Sequence, residues 1–174
     1  MFMDPKSMLS LCNLQTTDSV ADFGAGSGFL ARAAASLVPH GNVFAIEINK
    51  DIVARLTRET VELHLDNVHP IWGDIEIAGG SKLDNQSMDF VILSNVMFHL
   101  DDKSGCVAEV LRVLKSGGRA LVVDWSESFG GMGPIASAVF SKDRAIELFT
   151  KAGFAVANDA LGAGDHHYAI LFRK

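Results

Sequence analysis

Three glycines within five residues (Gly24, Gly26 and Gly28) constrain the fold more than any other feature of the sequence. They stand between an apolar, β-rich run at 19–23 and a helical pattern at 29–38. Glycines at such a junction let the backbone turn tightly and come close to a ligand. The pattern predicts a strand, a ligand-binding loop and a helix in direct succession.

Strand and helix patterns continue to alternate along the rest of the chain. We predict strands at 19–23, 42–48, 67–72, 88–93, 119–125, 154–157 and 166–173. We predict helices at about 5–14, at 29–38, at 50–65, from Asp101 or Asp102 to Lys115 with a stop at 116–118, and from a Ser141 cap to Gly153. This order predicts an α/β fold with one Rossmann-like, doubly wound sheet of about seven strands. The sheet should be mostly parallel, with the last strand antiparallel and helices on both faces.

The chain length of 174 residues suits one domain built around one core. A hydrophobic fraction of 48% with 21% charged residues argues against disorder. We therefore expect residues 1–174 to form a single domain, with 1–17 as an N-terminal helix and lead-in. The glycine-rich stretch 126–141 follows the fifth strand and is predicted to be a substrate loop.

Charge and cysteine content narrow the classes of partner. The net charge is −6, and the 15 Lys and Arg residues are scattered, which argues against a nucleic-acid partner. The two cysteines, Cys12 and Cys106, form no CxxC pair and are too few for a metal cluster or a disulfide framework, so we expect free, buried or half-buried thiols and no metal. No signal peptide pattern or apolar run of about 18 residues is present, which favours a cytoplasmic protein with no membrane partner.

The glycine loop alone leaves two cofactors open. Gly26, Gly28 and Ala31 satisfy the dinucleotide fingerprint, and Glu47 follows at the spacing of a ribose-binding carboxylate. Charge separates the two readings, because Asp22 precedes the loop and Asp74 follows the third strand. A pyrophosphate would be repelled by these carboxylates, whereas the sulfonium and ammonium of S-adenosylmethionine would be attracted.

Five segments in this order resemble the successive motifs of class I S-adenosylmethionine-dependent methyltransferases, and the nearest type is that of ubiquinone and menaquinone biosynthesis. The segments are VADFGAGSG, IEINKD, WGDIE, DFVILSNVMFHLDD and LRVLKSGGRALVVDW. They cover Ser19 to Trp125, and the resemblance continues loosely through LFTKAGF at 148–154.

The resemblance implies that ten residues bind S-adenosyl-L-methionine and its product S-adenosyl-L-homocysteine. Those expected at the methionine part are Asp22, Gly24, Ala25, Gly26, Gly28 and Asn95, with Asp22 oriented toward the ammonium. Those expected at the adenosine part are Glu47 on the ribose, Ile48 against the adenine, and Gly73 beside Asp74, which accepts from the adenine amino group. Asn95 can equally cap a turn.

Methyl transfer from a sulfonium requires alignment more than a covalent intermediate, and it requires a base only where the acceptor must lose a proton. The candidate catalytic residues are His99, just after the fourth strand, and Asp124, which ends the fifth strand beside Trp125 and is expected to face the pocket region. Asp124 can equally cap the next turn. His166 and His167 would point to opposite faces of a strand, and we assign them structural or rim roles.

The acceptor is expected to be a small molecule that the sequence does not name. The segment Ser94–Met97 reads SNVM and lacks the Pro-Pro-aromatic sequence of enzymes that methylate exocyclic or amide nitrogens. Two alternatives stay open: an NAD(P)-binding oxidoreductase and a catalytically inactive S-adenosylmethionine-binding module. Either the 126–141 loop or the second subunit of a homodimer could complete the site.

Overall fold

Seven strands form one mixed sheet in the order β3-β2-β1-β4-β5-β7-β6. The computed structural model describes residues 4–131 and 133–174. The strands are β1 (Ser19–Phe23), β2 (Asn42–Glu47), β3 (Val68–Trp72), β4 (Met88–Ser94), β5 (Leu114–Trp125), β6 (Ala155–Leu161) and β7 (His167–Arg173). The pairs among β1 to β5 are parallel, and β7 is antiparallel to both β5 and β6. The predicted fold class is confirmed.

Four of the five helices in the described residues begin at a side-chain cap, and the helix that follows Gly28 has none. They are α1 (Pro5–Ser10), α2 (Phe29–Leu37), α3 (Lys50–Glu62), α4 (Lys103–Val113) and α5 (Lys142–Lys151), with single 3₁₀ turns at Met97–His99 and Ala136–Ala138. Asp102 caps α4 by accepting from the Gly105 N–H at 2.8 Å, and Ser141 caps α5. No helix among residues 4–131 and 133–174 is long and apolar enough to cross a lipid bilayer.

Several predicted element ends were wrong. Helix α4 ends at Val113 rather than Lys115, because Leu114 already pairs with Met88 of β4, and residues 116–118 belong to β5. Three further ends differ by three residues or more: α1 ends at Ser10 rather than residue 14, α3 ends at Glu62 rather than residue 65, and β6 runs to Leu161 rather than residue 157.

Two apolar layers, one on each face of the sheet, make up the core. Helices α1, α2 and α3 cover one face, and α4 and α5 cover the other. In β4, Phe90 and Ile92 contact the first layer, while Val91 and Leu93 contact the second, and all four are fully buried. This explains why β4 is a continuous apolar run rather than an alternating one.

Both cysteines are buried and free, as predicted. Cys12 lies in the α1–α3 layer and Cys106 in the α4–α5 layer. Burial raises the pKa of the Cys12 thiol to about 11, so it stays protonated and packs as a small apolar group.

The strand order reverses direction between β1 and β4, which are neighbours in the sheet. The loops that leave the carboxyl ends of these strands diverge toward opposite faces, and the gap between them is the usual ligand crevice of such sheets. The glycine loop after β1 and Asn95 after β4 both lie at this point.

Candidate functional site

Two cavities meet at the glycine loop, and both are lined by Gly24, Gly26 and Asn95. The β2–β3 cavity has a volume of about 380 Å³ and is lined further by Ile46, Glu47, Ile48, Gly73, Asp74, Ile75, Glu76, Val96, His99 and Leu100. The β4–β7 cavity has a volume of about 420 Å³ and is lined further by Pro5, Met8, Asp22, Ala25, Ser27, Phe29, Leu30, Ser94, Val123, Ala163 and His167. Nine of the ten predicted binding residues line one or both cavities, and Gly28 lines neither.

The glycines of the loop serve different purposes. All three have positive φ angles, which glycine adopts without strain. A Cβ on Gly24 would lie 2.6 Å from Val96 Cγ2, and one on Gly28 would lie 2.5 Å from Leu56 Cδ2, so both positions are closed by packing. A Cβ on Gly26 would meet only the Gly24 carbonyl, at 3.9 Å. Gly26 therefore exposes its backbone to the cavities, whereas Gly28 packs the loop onto α3.

Glu47, the last residue of β2, joins the glycine loop to the β2–β3 cavity. Its Oε2 accepts from the Gly26 N–H at 3.1 Å, and its Oε1 accepts from the Asn49 N–H at 2.9 Å. The carboxylate is thus held in place at the edge of the cavity by two backbone donors. Ile48 follows with 59% of its side chain exposed, which leaves an apolar surface beside the carboxylate.

Asp74 lies across the same cavity, just after β3. Its Oδ1 accepts from the Glu76 N–H at 2.9 Å, and its backbone N–H donates to the Gly80 carbonyl at 3.0 Å. The neighbouring Ile75 is 7% exposed and completes the apolar part of the lining. The cavity lining therefore combines three carboxylates, the third being Glu76, with three isoleucines at 46, 48 and 75.

Asp22 is the most unusual group of the site. It is 2% exposed, lies in the lining of the β4–β7 cavity, and its Oδ2 has no hydrogen-bond partner. Burial raises the pKa of this carboxyl to about 7; a hydrogen bond from the Ala31 N–H opposes the shift, and the charge of Glu47 adds to it. An unpartnered carboxylate oxygen in a cavity wall is suited to bind a cationic group.

Asn95 occupies the turn after β4 in the left-handed conformation, with φ of 53°. Asparagine adopts this conformation more readily than most residues. Its N–H donates to the Val123 carbonyl of β5 at 2.8 Å. The residue thus makes a turn, as one reading of the sequence held, and also lines both cavities.

The two predicted catalytic residues lie apart from each other. His99 lines the β2–β3 cavity, where its ring lies 3.8 Å from the ring of Phe98. Asp124 is fully buried and shares a sheet face with Tyr168, in the α4–α5 layer. The prediction that Asp124 faces the pocket was wrong, because strand alternation turns its side chain away from the face that carries Asp22 and Val123.

Asp124 instead binds backbone groups. Its Oδ1 accepts from the Trp125 N–H at 2.8 Å. Burial raises the pKa of Asp124 to about 6, while the nearby N–H groups of Trp125, Phe98 and Met97 oppose that shift. Its other oxygen, Oδ2, is buried and has no hydrogen-bond partner among the described residues.

His167 was predicted to be structural or at the rim, and the structure places it in the wall of the β4–β7 cavity. Its ring lies 4.2 Å from the ring of Trp125, its partner in the β5–β7 register. His166 points elsewhere: its Nδ1 lies 2.7 Å from Glu127 Oε1, and its ring stacks on Phe129. The sequence did contain a signal for the position of His167. Because the last strand runs antiparallel to β5, its first residues lie at the edge of the sheet where the parallel strands end.

The described lining of the β4–β7 cavity includes residues of α1 and of 163–167, and none of 126–141. Residues of the predicted substrate loop lie next to this region, where Phe129 stacks on His166 and Gly133 approaches the Trp125 ring. A substrate-contacting role for 126–141 stays a prediction.

The fold and the two cavities define a Rossmann-like domain with a candidate binding site at the switch point of its sheet. Comparison with known proteins identifies the family of this domain. The sequence profile of the family described as "Methyltransferase domain" matches residues 14–159. The chain belongs to this methyltransferase domain family. The finer likeness to the ubiquinone and menaquinone type stays a prediction.

Curated relatives are similar over about two thirds of the chain. A malonyl-[acyl-carrier protein] O-methyltransferase of Hahella chejuensis is 28% identical over 116 residues, which are 67% of this chain and 39% of that protein. Methyltransferase str2 of Strobilurus tenacellus is 28% identical over 126 residues, which are 71% of this chain and 42% of that protein. The chain thus matches well under half the length of these relatives.

Among solved structures, a SAM-dependent methyltransferase from Aquifex aeolicus superimposes with a TM-score of 0.90 at 22% identity. The superposition covers 99% of this chain and 90% of that one. At this identity the likeness bears on the fold alone.

Proposed function

We propose that this domain is an S-adenosylmethionine-dependent methyltransferase that acts on a small-molecule acceptor. The observation that carries the proposal is Asp22, whose buried Oδ2 lacks a partner in a cavity wall beside the glycine loop. A buried carboxylate oxygen without a donor is costly, and a ligand ammonium group would satisfy it.

The residues around the loop fit the proposed donor from end to end. Asp22 and the exposed backbone at Gly26 would hold the amino-acid part, and Glu47 would accept from the ribose hydroxyls. Ile48 would pack against the adenine, with Asp74 accepting from its amino group. When bound, S-adenosylmethionine supplies an electrophilic methyl group on a sulfonium sulfur.

The β4–β7 cavity is the proposed acceptor side. Its volume of about 420 Å³ is that of a small-molecule pocket, and its apolar residues include Met8, Leu30 and Val123. His167 is the titratable group in this wall besides Asp22. Burial lowers the pKa of His167, with the neighbouring His166 adding to the effect, so the imidazole is neutral near pH 7 and able to accept a proton.

The charge of the lining opposes the oxidoreductase alternative. The described lining residues of the two cavities include Asp22, Glu47, Asp74 and Glu76, and no Lys or Arg. A dinucleotide would have to place its pyrophosphate beside these carboxylates without a cation to compensate. A donor without phosphate and with positive charges suits this lining better.

Turnover separates an enzyme from an inactive binding module. The protein would be incubated with methyl-labelled S-adenosylmethionine and with either the low-molecular-mass or the macromolecular fraction of a cell extract. The proposal expects label in small molecules, together with formation of S-adenosylhomocysteine. Label only in the macromolecular fraction would contradict the acceptor class, and binding without turnover in either fraction would favour the inactive module.

A further inference from the structure

Glu109, in the middle of α4, is a buried carboxylate that takes no part in either cavity. It is 1% exposed. Its Oε2 accepts from the Gly79 N–H at 2.9 Å, and its Oε1 accepts from both the N–H and the hydroxyl of Ser81. One side chain of α4 therefore binds two residues of the loop that connects β3 to β4.

Arg112 holds this carboxylate from the other side. Its Nε and one terminal nitrogen donate to the two oxygens of Glu109, each at 2.7 Å. It also donates to the Leu83 carbonyl at 2.8 Å and to Asn85 Oδ1 at 2.6 Å. Burial alone would raise the pKa of Glu109, but the hydrogen bonds from Arg112, Ser81 and the Gly79 N–H outweigh burial and lower this pKa to about 2. The pair is thus a fixed, ionised unit.

The segment that Glu109 holds is packed directly on the residues of the β2–β3 cavity. The Asp74 N–H donates to the Gly80 carbonyl at 3.0 Å. A Cβ on Gly73 would lie 2.6 Å from the Gly80 carbonyl oxygen, and one on Gly80 would lie 2.1 Å from the Asp74 carbonyl oxygen. Backbone meets backbone here, so a shift of 79–81 must move residues 73 and 74.

Stability is a weak reason to bury such a pair. The cost of removing both charges from water offsets most of their attraction, and apolar replacements of buried pairs are often neutral or stabilising. What the pair provides is a defined conformation for a segment of irregular backbone, in which Gly79 has a φ of 73°.

We propose that Glu109, fixed by Arg112, is a positioning residue for the adenosine half of the donor site. It sets the conformation of 79–81 and, through the Asp74–Gly80 contact, the place of Asp74. The identity of the ligand in this inference rests on the proposed function. The effect of Glu109 on residues 79–81 and on Asp74 rests only on the contacts described above.

The test compares Glu109→Gln with wild type by calorimetry, using S-adenosylhomocysteine and 5′-methylthioadenosine as probes. Both contain the adenosine group, so we expect both affinities to fall by a similar factor of about ten. Ser81→Ala removes one donor from the loop side, and we expect a smaller loss of the same kind. If Glu109→Gln does not fold, the same two affinities are compared between wild type and Ser81→Ala instead.

Ile170→Val is the matched control, because Ile170 is fully buried in the same core layer and lies in β7, away from the loop. It lowers stability without touching 73–81, and measurements are made well below the melting temperature of each variant. Equal affinities for wild type and Glu109→Gln would overturn the proposal. A loss no larger than that of Ile170→Val would overturn it as well.

Hydrogen exchange of the Asp74 amide gives a readout that needs no ligand. We expect faster exchange of this amide in Glu109→Gln and an unchanged rate in Ile170→Val. An unchanged rate in Glu109→Gln would overturn the positioning role. If wild type bound neither adenosine probe, the proposed function would fail, while the exchange rates would still decide whether Glu109 positions the loop.

Discussion

The β2–β3 cavity and the β4–β7 cavity share the glycine loop and Asn95, yet they are built in different ways. The first is lined by short consecutive segments, 46–48, 73–76 and 95–100, each of which directly follows or ends a parallel strand. The second draws on residues from both ends of the chain, from Pro5 to His167. The difference indicates that the donor side is fixed by the parallel half of the sheet, while the acceptor side depends on the added elements α1 and β7.

The two cavities also differ in their polar groups. The β2–β3 cavity has carboxylates suited to ribose hydroxyls and an adenine amino group, together with the apolar surface of Ile48. The side chains of the β4–β7 cavity lining are largely apolar apart from Asp22, Ser27, Ser94, Asn95 and His167. Substitutions in the β2–β3 cavity should therefore change donor affinity. Those in the β4–β7 cavity should change turnover, except at Asp22, which is proposed to bind the donor.

The largest effect is expected on the acceptor side, from His167→Gln. Glutamine retains hydrogen-bonding ability but cannot accept a proton at neutral pH. We expect methyl transfer to fall by about a hundredfold where the acceptor must lose a proton, with unchanged affinity for S-adenosylhomocysteine. Turnover is measured as S-adenosylhomocysteine formation with the small-molecule extract. His166→Gln is the matched control, and an equal loss in both variants would contradict the assignment.

The second largest effect is expected on the donor side, from Glu47→Ala. Glu47→Ala removes the carboxylate proposed for the ribose and frees the Gly26 N–H that it now accepts from. Loss of charged hydrogen bonds of this kind should weaken S-adenosylhomocysteine about thirtyfold in calorimetry. Glu62→Ala, an exposed glutamate at the end of α3, serves as the control. If Glu47→Ala bound the product as tightly as wild type, the ribose assignment would be wrong.

A pH-dependent effect is expected at the junction of the two cavities. The ionised form of Asp22 is the one that attracts an ammonium group, and burial raises its pKa to about 7. Wild-type affinity for S-adenosylhomocysteine should therefore fall as the pH is lowered through about 7, because Asp22 must lose its proton before it binds the ammonium group. We expect Asp22→Asn to bind about tenfold more weakly at pH 8 and to show no such dependence. Parallel pH profiles for the two proteins would contradict the role.

The raised pKa of Asp22 predicts the opposite pH dependence for the stability of the free protein. The folded-state pKa of this carboxyl lies above the ordinary value of 3.8, so its contribution to folding is complete below that value and is lost as the pH rises through about 7. Asp22→Asn, measured without ligand, should therefore melt higher than wild type at pH 8, by on the order of 5 °C, and equally at pH 4. A lower melting temperature at pH 8 would show that Asp22 is satisfied in the free protein.

The smallest effect is expected from His99, which lines the β2–β3 cavity. On this side of the loop an imidazole contacts the donor rather than the acceptor. We expect His99→Ala to weaken S-adenosylhomocysteine about threefold and to leave the pH profile of turnover unchanged. A large loss of turnover at full donor occupancy would instead support the catalytic role first predicted for this residue.

The sequence was most informative where function depends on residues next to a parallel strand. Glu47, Ile48 and Asp74 line one cavity because the ends of the parallel strands lie at one edge of the sheet, and their roles toward a cofactor stay predictions. Asp124 was placed wrongly because its neighbour in the chain faces the other layer, and a one-residue error in strand register reverses a side chain. The register was not readable from residues 120–123 of β5, because all four are apolar and buried although they alternate between the two layers.

The elements of the acceptor side were harder to predict. Pro5, Met8 and Ala163 have no pattern that marks them as lining residues, because they reach the cavity only through the packing of α1 on α2 and the strand order β5-β7-β6. Contacts between the ends of a chain follow from tertiary packing, which local periodicity does not encode.

Binding of S-adenosylmethionine at this site is best examined by calorimetric titration of the wild-type protein with S-adenosylhomocysteine and, separately, with NADH. We expect micromolar binding of S-adenosylhomocysteine and no binding of NADH. Binding of NADH without binding of S-adenosylhomocysteine would contradict the proposed donor site.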